Sequence, residues 1–358
     1  MKIICMYLPQ YHEIPENNEW WGDGYTEWVA VKKAKSLFKG HQQPVVPLNN
    51  NYYDLVKDGI KTWKWQAALA KKYNIYGFCV YHYWFNGKML LEKPMEILLD
   101  HPEIEIHYSL CWANEPWARN WDGKYNDVLM PQSYGDRNDW VAHYNYMLKF
   151  FEDTRYIKID NKPVVHIYKS TDIPNLKDMQ EVWNKMAVES GFNGIYWVSA
   201  KNSNNIDTRT ELFDHYYYFE PSYTLKYDYG KIDRFFYMAA ASFRHLENAF
   251  RMNKTVEKRV STRHTWKQIE KRPVDPNISL GTFFEWDNTP RRGFEGTVYI
   301  GGTPVGFRDH IKKLSKKIGK NDFLYINAWN EWGEGAHLEP DTRWKYGFLK
   351  ALRDGTLE

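Results

Sequence analysis

The chain has 358 residues, 43% of them hydrophobic, enough to bury a sizeable core, and (β/α) barrels commonly fill this length as a single domain. Its 48 Lys and Arg stand against 45 Asp and Glu, a net charge of +3 that gives no support to a nucleic-acid partner. The aromatic content is unusual: 17 Trp, 27 Tyr and 18 Phe make 17% of the sequence, beyond what core packing usually demands, and point to a carbohydrate surface ahead of base stacking.

The first element, Ile3 to Leu8, reads as a strand directly after the initiator, with no long apolar leader region or cleavage site. No run approaches ~18 apolar residues, so the expectation is a cytoplasmic protein without a transmembrane segment. Further strand-length apolar runs follow at Ile75 to Tyr81, Ile104 to Trp112, Pro163 to Tyr168, Gly194 to Ser199, Leu212 to Phe219, Leu280 to Trp286 and Phe323 to Trp329. Helix-compatible stretches alternate with them: Asp54 to Tyr73, Pro94 to Asp100, Asp139 to Asp153, Leu176 to Ser190, Lys231 to Asn253, Val305 to Ile318 and Arg343 to Arg353. Alternation of this kind predicts βαβ units, and eight such strands predict an α/β chain folded as a closed (β/α)8 TIM barrel, one catalytic domain over 1–358. Long insertions follow strand one (Pro9 to about Asn51) and strand six (Glu220 to Asn277), the second with a helical insertion at about 221–277. Phosphate-loop and dinucleotide fingerprints are missing, which sets aside the usual open-sheet folds. Cys5, Cys79 and Cys111 each fall inside a predicted strand and read as small core residues of a reducing compartment.

Polar and aromatic residues gather just after nearly every strand, where a barrel places its active site. Strand one leads to Gln10-Tyr11-His12, then Trp20-Trp21 and the T-E-W of Thr26 to Trp28; strand two leads to His82-Tyr83-Trp84. Strand three ends in Trp112-Ala113-Asn114-Glu115-Pro116-Trp117, with Arg119 and Asp122 beyond, and strand seven in Glu285-Trp286-Asp287. The densest cluster follows strand eight: W-N-E-W-G-E-G-A-H-L-E-P, Trp329 to Pro340, delivers Glu331, Glu334 and Glu339, His337, Trp329 and Trp332 into one loop. Sugar chemistry uses that mixture, acids to move protons at a glycosidic bond and aromatic faces to hold the ring. Two glutamates three residues apart share a cavity if the chain turns helically between them.

The candidate site is therefore Glu331 and Glu334 for proton transfer, with His12, His82, Tyr83, Asn114, Glu115, Asp287 and Asn330 to position hydroxyls. Trp20, Trp84, Trp117 and Trp332 are stacking platforms, and His337 stands beside them. Each has a plainer reading: His12 and His82 as hydrogen-bonded structural histidines, the tryptophans as packing, Asp287 as the partner of Arg291 or Arg292 in a structural ion pair. A metal hydrolase is the rival on this fold, but His12, His82, His166, His215 and His337 form no His-x-His or His-Glu-x-x-His pair. A serine nucleophile lacks its Gly-x-Ser-x-Gly turn. The candidate site calls for no cofactor and neither requires nor excludes a metal. Arg244 to Arg272 carries nine Lys/Arg and three Glu, a local +6, which reads as a solvated helix face or as a patch for an anionic lipid-linked sugar, an acidic polysaccharide or a membrane surface.

Taken in order, Y-L-P-Q-Y-H at Tyr7 to His12, W-W-G-D-G-Y-T-E-W at Trp20 to Trp28, G-F-C-V-Y-H-Y-W-F at Gly77 to Phe85, C-W-A-N-E-P-W at Cys111 to Trp117, W-D-N-T-P-R-R-G at Trp286 to Gly293 and the strand-eight motif resemble the WbsX family, over roughly Ile3 to Leu349. The resemblance implies a glycoside hydrolase family 99-like barrel, a family linked to lipopolysaccharide and capsule biosynthesis and often labelled glycosyltransferase. Family 99 enzymes are retaining endo-α-mannosidases that work through a 1,2-anhydro sugar. Carried over, Glu331 is the base that deprotonates the sugar 2-hydroxyl and Glu334 the acid that protonates the leaving oxygen. The implied partner is an oligosaccharide or polysaccharide, free or lipid-linked. A glycosyltransferase of surface-polysaccharide assembly and a non-catalytic glycan-binding protein are the alternatives.

Overall fold

A computed structural model of the chain describes residues 1–118, 127–250 and 254–357; Arg119 and Asp122 lie outside them. Eight strands alternate with helices: β1 (Lys2–Tyr7), β2 (Gly77–Phe85), β3 (His107–Trp112), β4 (Lys162–Ile167), β5 (Tyr196–Lys201), β6 (His215–Tyr218), β7 (Ile278–Phe283) and β8 (Phe323–Asn327). All are parallel, and the sheet closes because β1 pairs with both β2 (Ile4 opposite Gly77) and β8 (Lys2 opposite Phe323). This is the (β/α)8 barrel that the strand spacing predicts. Its strands are buried on both faces, which explains their continuous apolar runs: all nine residues of β2 are buried.

The barrel interior is aromatic. His166, Tyr217 and Tyr325, from the alternate strands β4, β6 and β8, meet inside it, with Tyr217 stacked on Tyr325 at 4.3 Å and His166 Nε2 2.8 Å from the Tyr325 hydroxyl. Much of the aromatic excess is therefore core, and His166 is a packing residue of that core.

The predicted helices are present as α3 (Gly59–Lys72), α4 (Lys93–Asp100), α5 (Arg137–Phe151), α6 (Leu176–Glu189), α7 (Lys231–Phe250), α10 (Pro304–Ser315) and α11 (Gly347–Leu357). The last begins later than the sequence suggests, because Asp341 first closes a turn by accepting from the Trp344 amide at 2.5 Å. Between β1 and β2 stand α1 (Pro15–Trp21) and α2 (Glu27–Lys33). Between β6 and β7 lie a π-helical turn (Thr224–Asp228), α7, a short strand (Lys258–Ser261) and α8 (Thr262–Lys271). That short strand pairs with Thr297–Ile300, which follows α9 (Thr289–Arg292) after β7.

Candidate active site

After β8 the chain runs into a two-residue hairpin ladder, Asn330 opposite His337 and Glu331 opposite Ala336. Asn330 fixes the ladder to the end of β1: its Oδ1 accepts from the Leu8 amide at 2.8 Å and its Nδ2 donates to the Leu8 carbonyl at 2.9 Å. The hairpin tip, Trp332–Glu334, is one 3-10 turn capped by Glu331. Three residues per turn eclipse positions i and i+3, so Glu331 and Glu334 project on the same side. Both glycines of the motif have a reason. A Cβ on Gly333 would lie 1.7 Å from Glu27 Oε1, and Gly335 closes the turn at φ +60°, the left-handed conformation that glycine adopts without strain.

Arg291 of α9 joins three carboxyl groups. Its Nε donates to Glu27 Oε1 at 2.8 Å, its Nη1 to Glu334 Oε1 at 2.7 Å and its Nη2 to Glu331 Oε2 at 3.1 Å. The Glu27 side chain is fully buried and that of Glu331 is 7% exposed, whereas that of Glu334 is 24% exposed. One guanidinium faces three carboxyl groups, two of them buried, so the cluster retains a proton above the usual carboxylate range. Burial, with Glu334 and Glu27 close by, pushes Glu331 up to about 8 against the pull of Arg291. Burial raises Glu334 in the same direction. Glu331 is the more enclosed of the two and the more loosely held by Arg291, at 3.1 Å against 2.7 Å for Glu334.

Glu331, Glu334 and Arg291 form part of the wall of a cleft of about 470 Å3 at the carboxyl ends of the strands. Trp21, Trp117 and Trp286 supply aromatic surface there, and Tyr81, Tyr83 and Tyr168 present phenols. Burial, and then nearby carboxylates, hold all three phenols neutral, so they remain hydrogen-bond donors. Glu115 also lines the cleft, its carboxyl raised by burial against the Lys169 ammonium 3.5 Å away. An aromatic-walled cleft with two neighbouring carboxyl groups, both raised above the usual range, can bind a ring and move a proton.

Of the residues singled out by sequence, Glu331, Glu334, Tyr83, Glu115 and Trp117 meet in this cleft. The others have structural neighbours. Trp20 packs edge-on against Trp117 at 5.7 Å, and it is the adjacent Trp21 that faces the cleft. His82 is buried and paired with His143 at 2.9 Å, and Trp84 stacks on the same His143 at 4.5 Å. His12 is buried, and burial lowers its basicity. Asn114 bridges to the backbone of Lys169 through both amide atoms at 2.8 Å, tying the end of β3 to that of β4. Trp332 stacks on His337 at 3.6 Å and donates to Glu339 at 2.7 Å, and Glu339 is a buried carboxyl below the hairpin.

Asp287 is not the partner of Arg291. It accepts from His41 Nε2 and Gln43 Nε2, both at 2.7 Å, and from the Thr289 hydroxyl at 2.6 Å, while its amide donates to the Glu334 carbonyl. With His337 and Trp286 it lines a second cavity of about 140 Å3 behind the cleft wall. Glu27, Arg291, Trp21, Tyr81 and Tyr168 are the site residues that sequence reasoning passed over. The T-E-W block around Glu27 was visible, but nothing local announces its ionic partner. Among the described residues no group of three His, Cys, Asp or Glu is disposed to hold a metal ion.

The family model described as glycosyltransferase WbsX matches residues 3–352. Two curated relatives from Xanthomonas campestris pv. campestris strains, each called uncharacterized protein WxcX, are 32% identical over 357 residues, 98% of this chain. The chain spans about half of their length, 49%. Among solved structures, the GH99 endo-α-mannosidase of Bacteroides thetaiotaomicron superposes with a TM-score of 0.59 at 13% identity, covering 99% of this chain and 96% of that one. A glycoside hydrolase-like protein gives 0.55 at 12%, covering 99% and 93%. At these identities the structural likeness speaks for the fold.

Proposed function

The chain belongs to the WbsX glycosyltransferase family, and from that premise we propose that it is a carbohydrate-active enzyme acting on glycosidic bonds, with Glu331 and Glu334 as its proton-transfer pair. The observation that carries this reading is the Arg291 guanidinium, which holds both carboxyl groups in the wall of an aromatic cleft at the barrel mouth. A wholly structural ion cluster has no need of a cleft of this size opening onto it.

The chemistry follows the family 99 resemblance. Glu331 takes the proton of the sugar 2-hydroxyl as O2 attacks C1, and Glu334 gives its proton to the departing glycosidic oxygen. Water, or an acceptor hydroxyl, then opens the 1,2-anhydro ring at C1; Glu334 removes its proton while Glu331 returns one to O2. Attack by O2 requires a 2-hydroxyl trans to the leaving group, as in an axial α-mannoside. The productive state has the proton on Glu334, whereas the deeper enclosure of Glu331 favours a proton there. A 2-hydroxyl donating to Glu331 and a glycosidic oxygen accepting from Glu334 reverse that preference. A base drawn up to about 8 is also stronger than an ordinary carboxylate.

The family description, glycosyltransferase, favours a second reading, sugar transfer, with the same two acids serving an activated or lipid-linked donor. Mass spectrometry of products from α-mannose- and deoxyhexose-containing oligosaccharides, with and without sugar nucleotides, separates the two. Nucleotide-independent cleavage or transfer that vanishes in Glu334→Gln supports the first. Product that requires a nucleotide donor moves the assignment to transfer. Glycan binding without turnover, equal in wild type and variant, reduces the protein to a binding module.

A further inference from the structure

Helix α7 is built inside out. Ile232, Phe235, Phe236, Ala239, Phe243, Leu246 and Phe250 recur at three- and four-residue intervals and fall on one face, within ~100° of arc. A surface helix normally turns such a stripe to the core, yet here the six large members are 58% to 88% exposed. The opposite, polar face meets the protein: Asp233 pairs with His264 at 3.2 Å, Asn248 and Thr255 exchange two hydrogen bonds of 2.8 and 2.9 Å, and Arg244 donates to the Glu257 carbonyl. The helix is thus held with its apolar stripe outward, an exposed patch of the kind that marks an interaction surface.

Charge identifies the occupant. From Lys226 to Lys271 the chain carries eleven Lys and Arg against five Asp and Glu, a net +6. Asp228, Asp233, Glu257 and Glu270 are engaged by Arg272, His264, His245 and Lys313 respectively. The side chains of Lys231, Arg234, Lys254, Lys258, Arg263 and Lys267 are exposed. Two copies joined through this stripe would oppose +6 to +6, whereas an anionic lipid surface complements both the bases and the phenylalanines. No helix among the described residues is long and apolar enough to cross a membrane, so the stripe is suited to lying in the interface.

The position of α7 connects it to the cleft. In the π-helical turn that leads into it, Tyr227 donates to the Ser203 carbonyl at 3.2 Å, and Ser203 and Ser222 both line the cleft. We propose that α7 is a membrane-interface helix, which lies in the headgroup region of an anionic bilayer with its phenylalanine stripe inserted and holds the cleft rim at the lipid surface. This inference stands on the helix alone and does not depend on the chemistry proposed for Glu331 and Glu334.

Co-sedimentation with vesicles tests it. Wild type is expected to pellet with equimolar phosphatidylglycerol and phosphatidylcholine, to pellet less as salt rises, and to stay in solution with phosphatidylcholine alone. The Phe236→Ser/Phe243→Ser variant, altered only at exposed positions, should keep the wild-type melting temperature and lose at least about tenfold in vesicle partitioning. Absence of binding to anionic vesicles, or equal binding by the variant, overturns the proposal. A wild-type dimer that the variant splits, without vesicle binding, assigns the stripe to a second copy and overturns it as well.

Discussion

Glu27 and Glu331 share one guanidinium: Arg291 donates to Glu27 Oε1 at 2.8 Å and to Glu331 Oε2 at 3.1 Å. Glu27 lies deepest and takes up part of the positive charge that Glu331 would otherwise receive. Its own charge also helps to hold Glu331 up near 8. Replacement by Gln removes that charge, so the Glu331 carboxyl ionises more easily. If Glu331 must be ionised to act as base, activity rises with pH as it loses its proton. In Glu27→Gln that limb of the kcat/KM profile should move to lower pH by about one unit, equivalent to ~1.4 kcal/mol. An unmoved limb would detach the titration from this cluster.

Gly333 lies against Glu27 and Arg291. A methyl group there would lie 1.7 Å from Glu27 Oε1 and 2.8 Å from Arg291 Nε, so the ion cluster must shift to admit it. Gly333→Ala is expected to destabilise the fold by about 1–3 kcal/mol, the usual range for overpacking, and to remove activity even where the protein remains folded. Thermal melts beside turnover measurements check both halves. Wild-type turnover in a folded Gly333→Ala protein would show that the placement of Arg291 is immaterial.

The barrel is legible in the sequence because parallel strands buried on both faces leave apolar runs such as Ile75 to Tyr81, which falls on β2, and the post-strand loops can then be located by counting. Glu331 and Glu334 are legible for the same reason, since they follow β8 directly. Arg291 is not. Its neighbour Asp287 invites a local ion pair, while the three carboxyl groups it meets among the described residues lie 264, 43 and 40 positions away. Side-chain direction is equally hidden. The pairs Trp20-Trp21 and Tyr83-Trp84 each contain one residue that faces the cleft and one that packs, and only the local backbone decides which.

That difference is itself testable. Trp21→Ala removes cleft surface and should weaken glycan binding by roughly 1–3 kcal/mol with little change in melting temperature. Trp84→Ala empties a packed site where the indole stacks on His143 and donates to Asp139 at 2.9 Å. Its effect should fall on stability instead, by about 3–5 kcal/mol. Calorimetric titration with glycan alongside thermal melts reads the two effects separately. The reverse pattern would place the sugar elsewhere.

Buried carboxyls also give stability a direction in pH. Burial raises Glu331 to about 8, and Glu339 and Glu285 each to about 7, so each holds its proton in the folded chain where an unfolded glutamate has lost it. The folded state then binds more protons, and stability falls with rising pH. The favourable contribution is complete below the unfolded value of about 4.5 and is lost as pH climbs through 7 to 8. The melting temperature should decline across that window. Glu339→Gln cannot ionise and should flatten the slope, the new amide facing the same Trp332, Gln66 and Tyr53 donors. A melting temperature that rises from pH 5 to 8 would contradict the assigned direction.

The division of labour between Glu331 and Glu334 predicts opposite responses to leaving-group chemistry. A general acid matters in proportion to the basicity of the oxygen it protonates, so an aryl glycoside with an acidic phenol leaves without much help. Glu334→Gln should therefore lose about 10²–10⁴-fold in kcat on a natural glycosidic bond and recover most of it on such a substrate. Glu331→Gln leaves the 2-hydroxyl without its base, a defect no leaving group repairs, and should remain inactive on both. Removing the 2-hydroxyl from the substrate gives the matching control: a 2-deoxy sugar should be inert with wild type if O2 is the attacking atom, and turned over if Glu331 attacks C1 itself. Rescue of Glu331→Gln by the aryl substrate would exchange the two roles, giving the acid's part to the more enclosed carboxyl.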